Sequence, residues 1–454
     1  MGHSDLLPRP PLGAPRRPWR SPGPVAQLVE HRAYTADVVG SNPAGPTSPS
    51  RRTGSVAGVT SQETAALRTP SVAEVVAVLE ELYPSRWAQD WDAVGLVVGD
   101  PDAPVERVLL AVDPVSAVVA EAVAGGADLL LVHHPLLLRG VSSVAATTPK
   151  GRVVHDLVRA GCALYAAHTN ADSARPGVSD ALARVLGLTD LVPLSAAPEE
   201  PLDKVVAFVP LERAEAVTDA LAAAGAGSLG RYERVAWTST GTGTFVPGAG
   251  SRPAVGVPGR REDVAEARVE VVAPRHRREA VLAALRAAHP YEEPAFDVLE
   301  MAPWSSPRGI GRVGVLERPM ALRAFAEVVA AALPATAGGV RVAGDPDAPV
   351  TRVAVSGGAG DGLLGAARAS GADVLVTADL RHHPASDARE LAGDGPPFLV
   401  DVAHWASEWP WLHGAAERLT SALAERGLRV STAVSARRTD PWTFHVPSTE
   451  GTTR

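Results

Sequence analysis

Two stretches of this chain share one pattern, VVGDPDAPVERVLLAVD at residues 97–113 and VAGDPDAPVTRVAVSGG at residues 342–358. They align without gaps, and GADLLLV at 126–132 falls on GADVLVT at 371–377 in the same register. Each copy predicts a strand, an alanine-rich helix and a second strand of nearly continuous Leu and Val. Such apolar strands alternating with helices are typical of a parallel sheet covered on both faces. The chain is therefore predicted to be an α/β protein with two related βαβ halves.

The segment between the two copies has a different pattern. It contains the strand KVVAFVP (204–210), a helix over about 211–224, the strand ARVEVVAP (267–274), a helix over about 276–288 and the strand FDVLEM (296–301). A Gly-rich stretch, GTGTFVPGAG, separates the first helix from the second strand. This order is compatible with a small α+β unit of the ferredoxin-like pattern. We interpret it as an insertion that leaves the flanking halves able to form one split domain.

These patterns predict where the domains begin and end. The predicted boundaries are 71–200 for the first half, 201–308 for the insertion, 309–447 for the second half and 448–454 for a tail. A helix is expected to open the first half, because Ser71 and Glu74 have capping-box spacing before an apolar periodic stretch.

Residues 1–70 differ in composition from the rest, since they hold 11 of the 40 prolines and are basic. The string PVAQLVEHRAYTADVVGSNPAGPT at 24–47 resembles the conceptual translation of a tRNA gene. That resemblance predicts a start codon placed too far upstream, with the true start at a valine codon such as Val56 or Val59. A disordered basic tail and a targeting segment are the alternatives.

Composition excludes several classes of protein. Of the 454 residues 46% are apolar and 21% are charged, which is typical of a globular chain. The net charge of −8 argues against a general binder of nucleic acid or anionic membranes. No stretch has the roughly 18 apolar residues of a membrane helix. Because Cys162 is the single cysteine and has no disulfide partner in the chain, we expect a cytoplasmic location.

Histidines and carboxylates follow three predicted strands, where ligands gather in open α/β sheets. His133 and His134 end the strand of LLLVHHP, and they are either metal ligands or structural residues. ALYAAHTNADS ends a second strand with four polar residues, His168, Thr169, Asn170 and Asp172. Asp172 could bridge two ions, whereas Asn170 and Asp172 could equally be turn formers.

The third cluster lies in FLVDVAHWASEWPWL at 398–412, where His404 and Glu408 share one face of a predicted helix. Taken alone, this pair could be an ordinary exposed one. Three such clusters drawn from both halves are together unlikely to be accidental. The sequence therefore predicts a metal site built from imidazole and carboxylate ligands.

These motifs resemble the GTP cyclohydrolase 1 type 2 homolog family, which comprises Nif3-like proteins with a dinuclear metal centre. The resemblance runs from about 71 to 445 and rests on HHP, HTNAD and DVAHWASE, with DAVGLVVGD, RGVSS and SGGAG. Within the insertion, GTGTFVPGAGSRPAVG and HPYEEPAFDV resemble the CutA-like, PII-like middle domain of the long members. The resemblance implies that the insertion is such a domain.

The resemblance also implies the ligands, the ions and the assembly. Its five metal ligands match His133, His134, Asp172, His404 and Glu408, with Asp172 and Glu408 as the bridging carboxylates. They imply two divalent ions per subunit, and mixed His and carboxylate ligands suit Zn, Mn or Fe(II). A toroidal homohexamer is implied as well. The departures are Ala93 where Asn is usual and Ala403 where Gly is usual, which puts the pocket shape in doubt more than the metal ligands.

Three functions follow as hypotheses. The first is a metal-dependent hydrolase that acts on a nucleotide or a related small molecule, with ring opening of GTP as the reaction that the resemblance implies. The second is a metal chaperone, insertase or storage protein without catalytic turnover. The third is a scaffold in which the metals only join the two halves.

Other polar clusters have weaker claims. His382 and His383 follow a second-half strand and either support a site or contact a substrate. The HPYEEP segment at 289–294 is either an auxiliary site or a loop that packs on the core. SGGAG at 356–360 lacks the Lys of a phosphate loop and predicts a tight turn.

Overall fold

The computed structural model describes residues 67–230 and 232–447. The tail predicted at 448–454 and residues 1–66 of the N-terminal extension lie outside the described residues. By their internal contacts the described residues form two compact units. Unit 1 holds 67–174, 333–339 and 403–447, and unit 2 holds 175–332 and 340–402. No helix in the described part of the chain is both long and apolar enough to cross a membrane.

Unit 1 is built on a mixed sheet. Its strands are β1 (Gly95–Val98), β2 (Arg107–Ala111), β3 (Leu129–Val132), β4 (Ala163–Ala166) and β15 (Ser431–Val434). Their order is β1-β4-β3-β2-β15, with β1 antiparallel to β4 and the other pairs parallel. Strand β3 is buried along its whole length, as its unbroken apolar sequence predicts. The C-terminal strand β15 thus completes the sheet begun by the N-terminal half.

Helices cover this sheet. They are α1 (Val72–Leu82), α2 (Ser116–Gly125), α3 (Pro149–Ala160), α4 (Thr169–Ser173), α11 (His404–Glu408) and α12 (Trp411–Ala424). The capping box predicted for α1 forms, because Ser71 Oγ accepts from the Glu74 amide at 3.3 Å and Glu74 accepts from the Ser71 amide at 2.9 Å. Helix α2 ends where Gly126 takes the left-handed conformation, with φ of 64°.

Four strands of the first sheet of unit 2 repeat the strand order of unit 1. Its strands are β5 (Thr189–Pro198), β10 (Ser305–Ala321), β11 (Arg341–Ala343), β12 (Pro349–Ala359), β13 (Val374–Ala378) and β14 (Phe398–Val402). The order is β11-β14-β13-β12-β10-β5, and β12, β13 and β14 run parallel. The helices are α5 (Val178–Val185), α8 (Leu322–Ala332), α9 (Leu364–Ala369) and α10 (His382–Ala392). The segment β11-β14-β13-β12 corresponds to β1-β4-β3-β2.

One contact repeats atom for atom between the two copies. The Asp128 carboxylate accepts from the amides of Glu106 and Arg107 at 2.9 and 3.0 Å. In the second copy, Asp373 accepts from the amides of Thr351 and Arg352, both at 2.8 Å. The α/β fold class is confirmed. That the two halves close into one split domain, with the boundaries given above, stays a prediction.

The second sheet of unit 2 comes from the predicted insertion. Its elements are β6 (Leu202–Pro210), α6 (Ala214–Ala223), β7 (Ala236–Phe245), β8 (Glu262–Pro274), α7 (Arg278–Ala288) and β9 (Phe296–Glu300). The antiparallel order β7-β8-β6-β9 is that of a ferredoxin-like βαββαβ unit. Strand β7 takes the first part of the Gly-rich stretch, for which no strand was predicted. Alternating threonines favour this strand, and β8 pairs with all of it.

Candidate metal centre

Four of the five predicted ligands converge in unit 1. His133 and His134 follow β3, and His404 and Glu408 begin and end α11. Nε2 of His404 lies 3.0 Å from Oε1 of Glu408, as expected for residues one helical turn apart. Nε2 of His134 lies 3.1 Å from Oε2 of the same carboxylate. These three side chains form a group whose ligand atoms all lie within 4.8 Å of one another.

A second group joins His133 and His134 to His168, again with ligand atoms within 4.8 Å of one another. His168 precedes α4 and was noted only as a polar residue after a strand. The feature that marks His168 as a candidate ligand is its contact with Asp92, whose Oδ1 lies 2.8 Å from Nδ1 of His168. Because Asp92 lies in a distant loop, that pair could not be read from local spacing.

The fifth predicted ligand, Asp172, lies next to these groups but belongs to neither. Its Oδ1 is 3.7 Å from Nε2 of His133. It is held there by α4, whose Asn170 is fully buried and donates to the Tyr83 carbonyl at 2.7 Å. Asn170 therefore has a structural role, while Asp172 faces the histidines.

Three of the imidazoles have their outer nitrogen engaged. Nδ1 of His133 lies 2.8 Å from the Ala167 carbonyl, and Nδ1 of His134 lies 2.7 Å from Asp113 Oδ1. His168 makes the equivalent contact with Asp92. In each case the acceptor takes a hydrogen bond from Nδ1, so Nε2 is the nitrogen left available as a ligand. This is the arrangement by which proteins orient metal-binding histidines.

Two atoms in the cluster are buried without a hydrogen-bond partner. Among the described residues these are Nε2 of His133 and Oε2 of Glu408, which His134 approaches without hydrogen-bonding geometry. Burying such groups unpaired costs about 1–3 kcal/mol each or more for a charged group. Nε2 of His134 and Nε2 of His404 also face each other at 3.2 Å. A set of nitrogen and carboxylate lone pairs directed at one space fits a divalent cation.

The histidines and carboxylates of the cluster shift one another's pKa values. Burial lowers the pKa of His134, but Glu408 and Asp113 outweigh burial and raise that pKa to about 11. Burial raises the pKa of Glu408, yet the three surrounding histidines hold it well below its usual value. Burial also raises the pKa of Asp172, which His133 only partly offsets. The Glu408 carboxylate therefore stays ionised in the middle of the cluster, where it can bind a cation.

The mouth of the cluster is exposed and aromatic. The His404 side chain is 33% exposed, whereas that of His133 is 1% exposed. Trp91 is 59% exposed, and its ring lies 5.9 Å from the ring of His168 in an edge-on arrangement. Trp91 was not singled out from the sequence.

Fold and site together define an α/β protein with a cluster of His and carboxylate side chains that could hold a metal ion. The cluster lies where parallel strands end. A family model described as Duf34/NIF3 (NGG1p interacting factor 3) matches residues 70–441. The chain belongs to this family.

Individual relatives agree with the family model. A protein of Mycobacterium leprae named GTP cyclohydrolase 1 type 2 homolog is 54% identical over 372 residues, which cover 82% of this chain and 94% of the relative. A Bacillus subtilis protein of the same name is 37% identical over 371 residues, covering 82% and 98%. The crystal structure of a Bacillus cereus protein related to NIF3 matches with a TM-score of 0.68 at 37% identity, covering 83% and 99%.

Proposed function

We propose that this chain holds two divalent metal ions in unit 1 and uses them to hydrolyse a nucleotide or a related small molecule. The observation that carries the proposal is the common orientation of His133, His134 and His168, whose Nδ1 atoms are all engaged. Nε2 of His133 and of His134 lies 3.5 and 3.1 Å from the Glu408 carboxylate. The names of the relatives support a nucleotide as the substrate class.

The ligand sets follow from the two groups. One ion would bind His134, His404 and Glu408, and the other would bind His133 and His168. Asp172 and Glu408 flank His133 from two sides, at 3.7 and 3.5 Å from its Nε2. Both carboxylates are thus within reach of a bridging role. Zn, Mn and Fe(II) are the ions that this donor set suits.

The chain's own residues do the remaining work. When bound, the two metal ions would act as Lewis acids and would lower the pKa of a water molecule toward neutral pH. Asp113 and Asp92 fix the ring orientation of His134 and His168 by accepting hydrogen bonds from their Nδ1 atoms. Trp91 offers a flat surface at the mouth on which a base can stack. Buried Trp411, with its ring 5.4 Å from that of His133, closes the inner side.

A second function, metal delivery or storage, is favoured by the exposure of His404. Because the His404 side chain is 33% exposed, an acceptor protein could approach the ion and replace His404 as its ligand. The two functions differ in exchange rate, since a catalytic pair remains bound through turnover and a carrier must release its ions.

The testing experiment measures metal per subunit in the full chain purified without added metal or chelator. Exchange against a chelator follows, and then a single-turnover assay with GTP and other nucleotides. About two slowly exchanging ions with metal-dependent product support the hydrolase. Fast exchange without product favours delivery, and a chain that binds no divalent ion contradicts both.

The assembly is part of the same proposal. We propose the toroidal homohexamer that the family resemblance implies, with the metal sites facing an inner cavity. Light scattering on the full chain tests it, and a monomer at micromolar concentration would contradict it.

A further inference from the structure

The ferredoxin-like part of unit 2 contains a cavity of about 660 Å³ that the proposed function does not use. It lies on the sheet face opposite α6 and α7, beneath the loop at 246–261 and beside the HPYEEP segment. Ligand cavities in proteins typically span about 300–1,000 Å³. The volume therefore suits a small organic molecule.

Glu266 is the central polar group of this cavity. The residue is only 8% exposed, and its Oε1 accepts from the Tyr291 hydroxyl at 2.9 Å. Among the described residues no ion pair to Glu266 is found within 4.0 Å. A carboxylate removed from water without a cation is costly, and a positively charged group entering the cavity would offset that cost.

A hydrogen-bonded series holds this carboxylate in place. Nε2 of buried His289 lies 2.9 Å from the Phe208 carbonyl, and Nδ1 of His289 accepts from the Tyr291 amide at 3.1 Å. This fixes the neutral tautomer with its proton on Nε2. His289 therefore positions Tyr291, and Tyr291 positions Glu266. The HPYEEP segment both packs on the core and lines the cavity.

Most of the remaining lining consists of small residues, and the larger side chains among them are mainly aromatic or acidic. The rings of Phe245 and Tyr291 lie 5.8 Å apart at the cavity wall. Glu292 fastens the overlying loop by accepting from the Arg252 amide at 2.9 Å, and Glu293 adds a further charge. The one basic lining residue, Arg268, is paired with Glu270 at 3.1 Å. Aromatic faces and carboxylates together select cations.

A metal ion is not the occupant that this geometry favours. Within residues 67–230 and 232–447, the groups of His, Cys, Asp and Glu close enough to hold an ion lie in the metal centre of unit 1. A polyphosphate is disfavoured as well, because the lining carries more negative than positive side chains.

We infer that this cavity is a binding site for a small organic cation with an apolar body, such as an arylalkyl amine, whose ammonium group pairs with Glu266. The site is separate from the metal centre in residues and in chemistry. It goes beyond the proposed function, because its ligand would be an effector or second substrate of the chain.

Binding is tested on the full chain with phenethylamine, phenethyl alcohol and phenylacetate, which share a ring and differ in charge. Saturation-transfer NMR and calorimetry measure each affinity. We expect the amine to bind and the alcohol and the anion to bind at least about tenfold more weakly, a factor worth about 1.4 kcal/mol. Equal or tighter binding of the alcohol or the anion, or no amine binding at millimolar concentration, overturns the inference.

Variants locate the site. Glu266→Gln keeps an acceptor for Tyr291 and removes the charge, so amine affinity should fall about tenfold or more. Gly241→Leu fills the cavity, because a Cβ at Gly241, which pairs with Glu266 across the strands, meets nothing within 4 Å. The matched control is Thr238→Leu on the same strand, outside the lining. Amine binding that survives both cavity variants, or equal loss in the control, would overturn the assignment.

Discussion

Nδ1 of His134 lies 2.7 Å from Oδ1 of Asp113, and this contact decides which nitrogen of the ring faces Glu408. Asp113 also accepts a hydrogen bond from Thr439, so its own orientation is fixed. This pair was not predicted, although Asp113 follows β2 and His134 follows the neighbouring parallel strand β3. The contact makes Asp113 a positioning residue for the proposed metal site.

Asp113→Ala should therefore weaken metal binding without removing a ligand. Outer partners of metal-binding histidines typically contribute about 10–100-fold in affinity, and we expect a loss in that range. Competition with a chromophoric chelator measures it. Exposed Asp102→Asn is the control, and equal affinity in the two variants would contradict the positioning role.

His133→Ala and Glu408→Ala should each lose bound metal, and the proposed hexamer should survive both changes. His133 is buried beside both carboxylates, and Glu408 belongs to the group that includes His134 and His404. Metal analysis of the purified variants, with light scattering for assembly, checks both expectations. The controls His155→Ala and Glu417→Ala remove exposed residues of the same types. Unchanged metal content in both site variants would refute the assignment.

Trp91→Ala should raise the KM for a nucleotide substrate and leave metal content unchanged. Base stacking on an aromatic residue contributes about 1–3 kcal/mol, so we expect KM to rise about fivefold or more. Steady-state kinetics measure it. Trp442→Ala removes another exposed tryptophan of unit 1 as the control. A fall in kcat at constant KM would argue against stacking.

Arg312→Ala should strongly destabilise unit 2. The Arg312 side chain is fully buried, lies 2.7 Å from Asp180 and donates to the Gly309 carbonyl at 2.6 Å. Removing one partner of a buried pair leaves the other charge uncompensated, at a cost of about 3–5 kcal/mol. Hydrogen exchange of unit 2 amides at increasing denaturant concentration measures the loss in free energy of unfolding. Exposed Arg323→Ala is the comparison, and similar losses in both would exclude a special role for the pair.

Acid should weaken the ferredoxin-like part through Asp203. Hydrogen bonds from Arg278, and then from Arg275, outweigh burial and lower the pKa of Asp203 below its ordinary value. A lowered pKa means that the folded state binds the proton less readily than the unfolded chain does. The stabilisation is therefore complete above the unfolded pKa of about 3.9 and is lost as pH falls through the folded pKa.

Asp203→Asn removes this dependence. Hydrogen exchange of β6 should show wild-type protection falling more steeply below about pH 4 than protection in the variant. Exposed Asp297→Asn on the neighbouring strand β9 is the control. Identical pH profiles in wild type and Asp203→Asn would contradict the linkage.

The sequence predicted those features that depend on local pattern. The apolar run at β3, the capping box at Ser71 and the repeated strands all depend on residues close in the chain. The convergence of His134 with His404 and Glu408 was expected from the family resemblance, since β3 and β14, the strands that precede them, lie in different sheets. Asp113 follows a strand end but was not singled out. Trp91 and Asp92, the partner of His168, lie in a loop that folding brings to the site, so spacing could not identify their roles. Strand β7 was missed because its glycines disfavour a strand that pairing with β8 nevertheless stabilises.

The placement of β15 has a consequence for biosynthesis. As the ribosome releases the chain, β2 emerges more than 300 residues before the strand that pairs with its outer edge. Until then the outer edge of β2 exposes unpaired amides and carbonyls, which can pair with strands of other nascent chains. A premature stop codon before residue 431 would leave the edge bare permanently. Truncated products are therefore expected to aggregate even when they retain His404 and Glu408.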